Sequence, residues 1–184
     1  MLSTTFRRAL LIATIAIGVS GPASALDLLI TQDTTLPSGT YTYDSVTVQA
    51  GNTLFLSGNA ATGEGVTFQV TNFTVEAGAT VNLDGQGYPA QSGPGAGGAG
   101  SYRVGGGGGG HAAPGTRSSG NYGGKPASAT YGDLFAPTSL GSGGGNTGYT
   151  QAIGGAGGGA VIITATGAVT IDGLITANGK NGSG

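Results

Sequence analysis

The chain carries one histidine, no cysteine and eight acidic residues, and these bound the chemistry open to it. His111 sits in the run GGGGGGHAAPG, Gly105 to Gly115. A zinc ion needs three or four nitrogen, sulfur or carboxylate ligands, and no cysteine or second histidine can share one with His111. A serine nucleophile needs a base that a third group orients. His111 would have to be that base, on a glycine-rich segment that preorganises it poorly, so a histidine bonded to loop backbone is the plainer reading. Glycoside cleavage needs two carboxylates at a set separation. The acids are Asp27, Asp33, Asp44, Glu64, Glu76, Asp84, Asp133 and Asp172. Asp84 and Asp172 follow strand-like runs, where aspartate is usually a turn former. Only Glu76 and Asp172 would stack on neighbouring turns, and solvated turn acids are the simpler role for both. The calcium nonapeptide is missing, because a glycine follows Gly154-Gly155-Ala156-Gly157 where it requires aspartate. No glycine run ends in the Gly-Lys-Ser/Thr of a phosphate loop. No catalytic residue, metal ligand or cofactor is assigned, and the expectation is a non-catalytic protein.

The remaining contact chemistry is aromatic. Tyr88, Tyr102, Tyr122, Tyr131 and Tyr149 lie in or beside a glycine-rich block, Gly85 to Gly159, in a chain without tryptophan. Tyrosine offers rigid, amphipathic contact area, so these five are the candidate surface contacts; the competing role is to pack over glycine backbone. The block holds about two-thirds of the 41 glycines. It lacks a collagen period. Its runs either pack closely as extended, polyproline-II-like segments or act as linkers. The apolar island Leu134, Phe135 and Leu140 is expected to dock the block on the remainder of the chain.

Strand-like runs flank the block and must position it. TYTYDSVTV (Thr40 to Val48) places Tyr41 and Tyr43, then Val46 and Val48, in alternation. TLFL, VTFQV, FTV and TVNL follow, rich in residues that suit a pleated, half-buried surface. VTVQAGNTLFLSG (Val46 to Gly58) aligns with FTVEAGATVNLDG (Phe73 to Gly85), and a shorter copy, VTIDGLITANG, runs from Val169 to Gly179. In that alignment Asp84 matches Asn178 and Asp172 matches Glu76. Repeats of this length built from short strands predict stacked parallel units, with Val46, Val48, Phe73, Val75, Val169 and Ile171 pointing inward in columns. The turns lack the Asn-Gly pairs of tight hairpins, which argues against a hairpin sandwich. The expected fold is all-β: a right-handed parallel β-helix, or solenoid, with a long glycine-rich loop insertion at 85–159. In particular, Val66 to Leu83 and Val161 to Ala177 are expected to pair as adjacent parallel strands. The last strand run is followed only by a short polar tail, which reads as a fragment of a longer repeat array.

The first 25 residues read as a signal peptide: Arg7 and Arg8, an apolar run from Ala9 to Val19, and the small-residue site Ala23-Ser24-Ala25. The apolar run is too short to span a bilayer. Residues 26–184 then form one domain, with four basic residues, Arg103, Arg117, Lys125 and Lys180, against eight acidic ones. That balance carries no footprint for nucleic acid, and no transmembrane segment is expected. Charged residues make up only 8% of the chain, so stability must come from backbone ladders and apolar burial.

The order LDGQGY, GGGGGGH, YGDLFAPTSLGSGGG, GGAGGGAV and ITANGKNGSG, after the opening DTTLPSGTYTYDSVTVQAG, resembles the glycine-rich parallel β-helix modules of bacterial secreted and cell-surface proteins. The resemblance implies a structural or adhesive role at the surface. It implies surface glycans or other cell-surface components as partners, and carries no catalytic residues. The alternative is a carbohydrate-binding or polysaccharide-processing β-helix protein.

Cleavage after Ala25 predicts an exported form beginning Leu26-Asp27. N-terminal sequencing of the secreted protein checks this, and retention of Arg7 in that form would refute it.

Overall fold

The computed structural model describes residues 26–102, 104–119, 122–126, 130–148 and 152–183. The expected signal peptide, residues 1–25, lies outside them. Nine strands are formed: β1 (Asp27–Ile30), β2 (Thr34–Leu36), β3 (Gly39–Val48), β4 (Thr53–Leu56), β5 (Val66–Val75), β6 (Thr80–Asn82), β7 (Val161–Ala165), β8 (Val169–Ile171) and β9 (Leu174–Thr176). One sheet has the order β1-β3-β5-β7, with β8 also on β5; the other has the order β2-β4-β6-β9. Every pairing between these strands is parallel. Among the described residues no helix is long and apolar enough to cross a membrane.

Register follows the repeat. Val46 pairs with Phe73, Val48 with Val75 and Leu54 with Val81, the partners that the alignment of the two copies matches. Val66 to Val70 pairs with Val161 to Ala165, and Phe73 to Val75 with Val169 to Ile171, so the segments before and after the glycine block are adjacent and parallel. Both long strands change phase midway. β5 buries Val66, Phe68 and Val70, turns two residues outward at Thr71 and Asn72, then buries Phe73 and Val75. β3 does the same at Asp44 and Ser45. The side-chain period in a strand is two, so two successive outward residues mark a bend in each strand. At the matching bend between β7 and β8 the Asn72 side-chain oxygen accepts the Ala168 amide at 2.9 Å.

The core lies between the two sheets. Val46, Val48, Leu54, Leu56, Phe68, Phe73, Val75 and Val81 are fully buried. The Phe68 and Phe73 rings meet at 5.2 Å, and Tyr41 lies over Phe68. The columns continue to β8 and β9, but there Val169, Ile171 and Leu174 are exposed.

The right-handed β-helix does not form. The strands are parallel as expected, yet they make two separate sheets, mostly of three- to five-residue strands, and the coil does not close. Closure would need the chain to join a wall on every circuit. Between β6 and β7 it leaves both sheets, and residues 83–160 bond chiefly to one another. Nor is the glycine block a loop. Its backbone amides join segments far apart in sequence: Gly97 to Gly143, Gly107 to Gly98, Gly145 to Gly107, Gly144 to Gly155, and Gly157 to Tyr88, all at 2.8–3.0 Å. The result is a slab of extended segments. It is fastened to the sheets where the amides of Gly159 and Val66 donate to Leu83 and Ala160. The expected docking island is also corrected. Leu140 is fully buried, but Leu134 and Phe135 are 73% and 94% exposed. Asp133 turns that segment outward by accepting the amides of Phe135 and Ala136.

A β-carbon at Gly157 would overlap the Gly141 carbonyl, whereas one at Gly144 would meet nothing nearer than 3.6 Å. Gly157→Ala should therefore destabilise by about 1–3 kcal/mol or more, as overpacking does. Gly144→Ala should be neutral or stabilising by about 0.4–1 kcal/mol through the unfolded chain. Denaturant midpoints of the two variants check the contrast; equal midpoints would show that the slab is not closely packed.

Candidate functional site

The glycine slab places the sequence-predicted tyrosines on two sides. Tyr88 and Tyr131 face inward around Ser142. The Ser142 hydroxyl donates to the Tyr131 phenol at 2.9 Å and accepts the Gly95 amide at 2.9 Å, while the Tyr131 phenol donates to the Leu140 carbonyl at 2.5 Å. Tyr88 lies against Gly93, where a β-carbon would collide with its ring, and against Gly63, where one would collide with its hydroxyl. These two tyrosines do what the competing reading proposed and cover glycine backbone. Burial, chiefly, pushes the Tyr131 phenol above its ordinary value of 10.0; the Ser142 bond offsets part of this and nearby Tyr88 adds to it.

His111 joins the same network. Its ring meets Tyr131 edge-on at 4.9 Å, and Nε2 lies 3.0 Å from the Ser139 hydroxyl. Gly132 makes room for the imidazole, since a β-carbon there would overlap it. A hollow of about 370 Å³ opens beside His111, Ser139 and Gly158. A hydroxyl against an imidazole is half of a nucleophilic pair; the other half is a group that orients the ring. Among the described residues no carboxylate bonds His111, and no cluster of three metal-ligating side chains occurs. The pair holds the segment carrying Leu140 against Gly58. Sequence reasoning missed this role for Ser139 and Ser142, which carry no local signal among so many serines and glycines.

Four of the eight acids are fasteners. Asp33 accepts the Thr53 amide at 2.7 Å, Glu76 the Ala50 amide at 2.9 Å, and Asp84 the Asn178 amide at 2.6 Å. Asp27 accepts the Ser45 hydroxyl at 2.5 Å. Each bond ties one unit to the next in the stack. Glu76 and Asp172 do follow paired strands, but Glu76 is occupied by backbone, not free in solvent as expected. Charge-assisted bonds of this kind are stronger than neutral ones.

Tyr102 and Tyr122 stand on the outer side, 60% and 59% exposed, with ring centroids 4.9 Å apart in an edge-to-face pair. The Ser101 amide donates to the Tyr122 carbonyl at 2.8 Å and fixes the two chain segments together. Tyr102 has φ of 55°, in the left-handed region. A bulky residue there costs on the order of 1–3 kcal/mol, which the surroundings must offset. Beside Tyr122 lies a hollow of about 320 Å³, lined also by Ser101, Arg117 and Lys125. Tyr149 lies outside the described residues. Of the five candidates, the structure thus pairs two on an exposed face and turns two inward. No family model, curated protein or solved structure matches the chain.

Folding favours the neutral Tyr131 phenol, so the inner network contributes fully below about pH 10 and is lost as pH rises through the raised pKa. Tyrosinate absorbance should show a component titrating above 10.0 that Tyr131→Phe removes. An unchanged titration in that variant would contradict the buried placement of the phenol.

Proposed function

We propose that the chain is an exported structural and adhesive protein of a bacterial surface, working by contact and not by catalysis. The observation that carries this is the construction of the outer face. Glycine-rich backbone ordinarily loses the most freedom on ordering; here it is locked by cross-segment hydrogen bonds into a slab that presents Tyr102 and Tyr122 to solvent. A contact surface whose ordering cost is met during folding binds with less penalty. Of the two acids that could stack on neighbouring turns, Glu76 is engaged with the Ala50 amide. Export rests on the sequence of residues 1–25, and the surface role on the resemblance to glycine-rich surface modules.

Carbohydrate binding is the second reading, and the paired, exposed tyrosines favour it. Beads carrying the exported protein should adhere to polysaccharide-coated glass, and Tyr102→Ser with Tyr122→Ser should reduce the attached fraction several-fold, as loss of aromatic anchors does. The coating should keep its chain length. Depolymerisation that Ser139→Ala abolishes would overturn the non-catalytic reading, and adhesion that the tyrosine variant leaves intact would remove the outer face as the contact surface.

A further inference from the structure

The outer face also carries two of the three described basic side chains, and this selects among surface ligands. Arg117, Lys125 and Lys180 are the basic residues described, and the first two line the one hollow beside Tyr122. Both are exposed. Neither side chain makes a hydrogen bond or ion pair with any described residue. No acid lines the hollow. In a chain of formal net charge −2, with eight acids against six bases, two unpaired cations at one aromatic hollow form a local reversal of sign.

We infer that this hollow binds an acidic saccharide, a sugar chain bearing carboxylates, with Tyr122 as the stacking platform and Arg117 and Lys125 as the carboxylate contacts. The inference rests on the adhesive reading and names the ligand class of that same face. Five features argue for it. The face of an aromatic ring is electronegative and accepts the polarised C–H groups on the flat side of a pyranose. Tyr102, edge-on against Tyr122, fixes the attitude of that platform. A guanidinium offers a planar fork matched to a carboxylate, and an ammonium adds a point charge. The Ser101 hydroxyl and the glycine backbone around Gly98 and Gly123 supply neutral polar groups for sugar hydroxyls. The left-handed backbone at Tyr102 fits the same picture, since strained residues persist where the surroundings hold a functional geometry. Nucleic acid, the other anion that stacks on aromatics, needs a charged track along its backbone; two cations on an acidic chain do not make one.

Calorimetry with the exported protein tests this using tetragalacturonate, neutral maltotetraose and sodium acetate as probes. Tetragalacturonate should bind roughly tenfold or more tightly than maltotetraose and weaken as salt rises. Arg117→Gln with Lys125→Gln should remove that advantage without changing maltotetraose binding. Tyr122→Leu should weaken both sugars. Amide NMR spectra matching the parent away from the substitutions establish that these exposed changes leave the fold intact. Equal affinity for the two sugars, or an unchanged tetragalacturonate affinity in the double charge variant, overturns the acidic-saccharide assignment while adhesion to neutral coatings still stands. Acetate binding as tight as tetragalacturonate reduces the hollow to a simple anion site and also overturns it. Failure of the protein to adhere to any coating is a separate result and counts against the adhesive role.

Discussion

The structure depends on how closely one backbone can approach another where no β-carbon intervenes. At Gly97, Gly106, Gly107, Gly143, Gly145, Gly157 and Gly158 an added methyl would overlap a backbone atom of a neighbouring segment. That spacing lets extended segments bond to several neighbours at once, as at Gly107, whose amide reaches Gly98 while its carbonyl takes the amide of Gly145. Few side chains then enter the slab's interior, Tyr131, Leu140 and Ser142 among them. Individual backbone bonds contribute only about 0.5–1.5 kcal/mol net, and ordering a residue costs about 1–2 kcal/mol. The slab therefore needs an independently stable support. The two parallel sheets, with their buried valine, leucine and phenylalanine columns, supply it through the Leu83, Ala160 and Leu140 attachments.

Polar side chains in the sheeted part serve the same end. Asp33, Glu76, Asp84 and Asn72 each accept a backbone amide from the unit stacked beside them. Turns in a parallel stack leave amides without ladder partners, and an unmet buried or half-buried amide is costly. Short acids at turn positions satisfy these donors and pin the register at the corners, where a one-residue slip would reverse the inward columns. Three of the eight acids are used in this way.

The sheets were legible in the sequence because their side chains alternate. The match of Val46 to Phe73 and of Asp84 to Asn178 comes directly from the copies, and the structure pairs the first by ladder and bonds the second. Closure was not legible. Alternation states which face is buried, but not whether a circuit of chain joins a third wall, and residues 83–160 do not. The partners within the slab were hidden for a related reason. Glycine has no side chain to alternate, so nothing local links Gly97 to Gly143 or Gly144 to Gly155. Apolarity misled at Leu134 and Phe135, where the Asp133 turn directs the segment outward; Leu140 is buried because its side chain meets the vacant face of Gly58.

The division between inner and outer tyrosines follows from this architecture. A ring that meets glycine backbone from the sheet side has its hydroxyl drawn into the network of Ser142 and the Leu140 carbonyl, as Tyr131 does. Such a ring stabilises the slab and is spent as a contact residue. Tyr102 and Tyr122 instead pack on each other and remain exposed. One residue type thus has two roles, set by whether its ring packs into the glycine backbone or stands exposed outside it. The proposed outer role needs a support that holds the two rings in fixed relation. Close-packed glycine backbone meets that requirement.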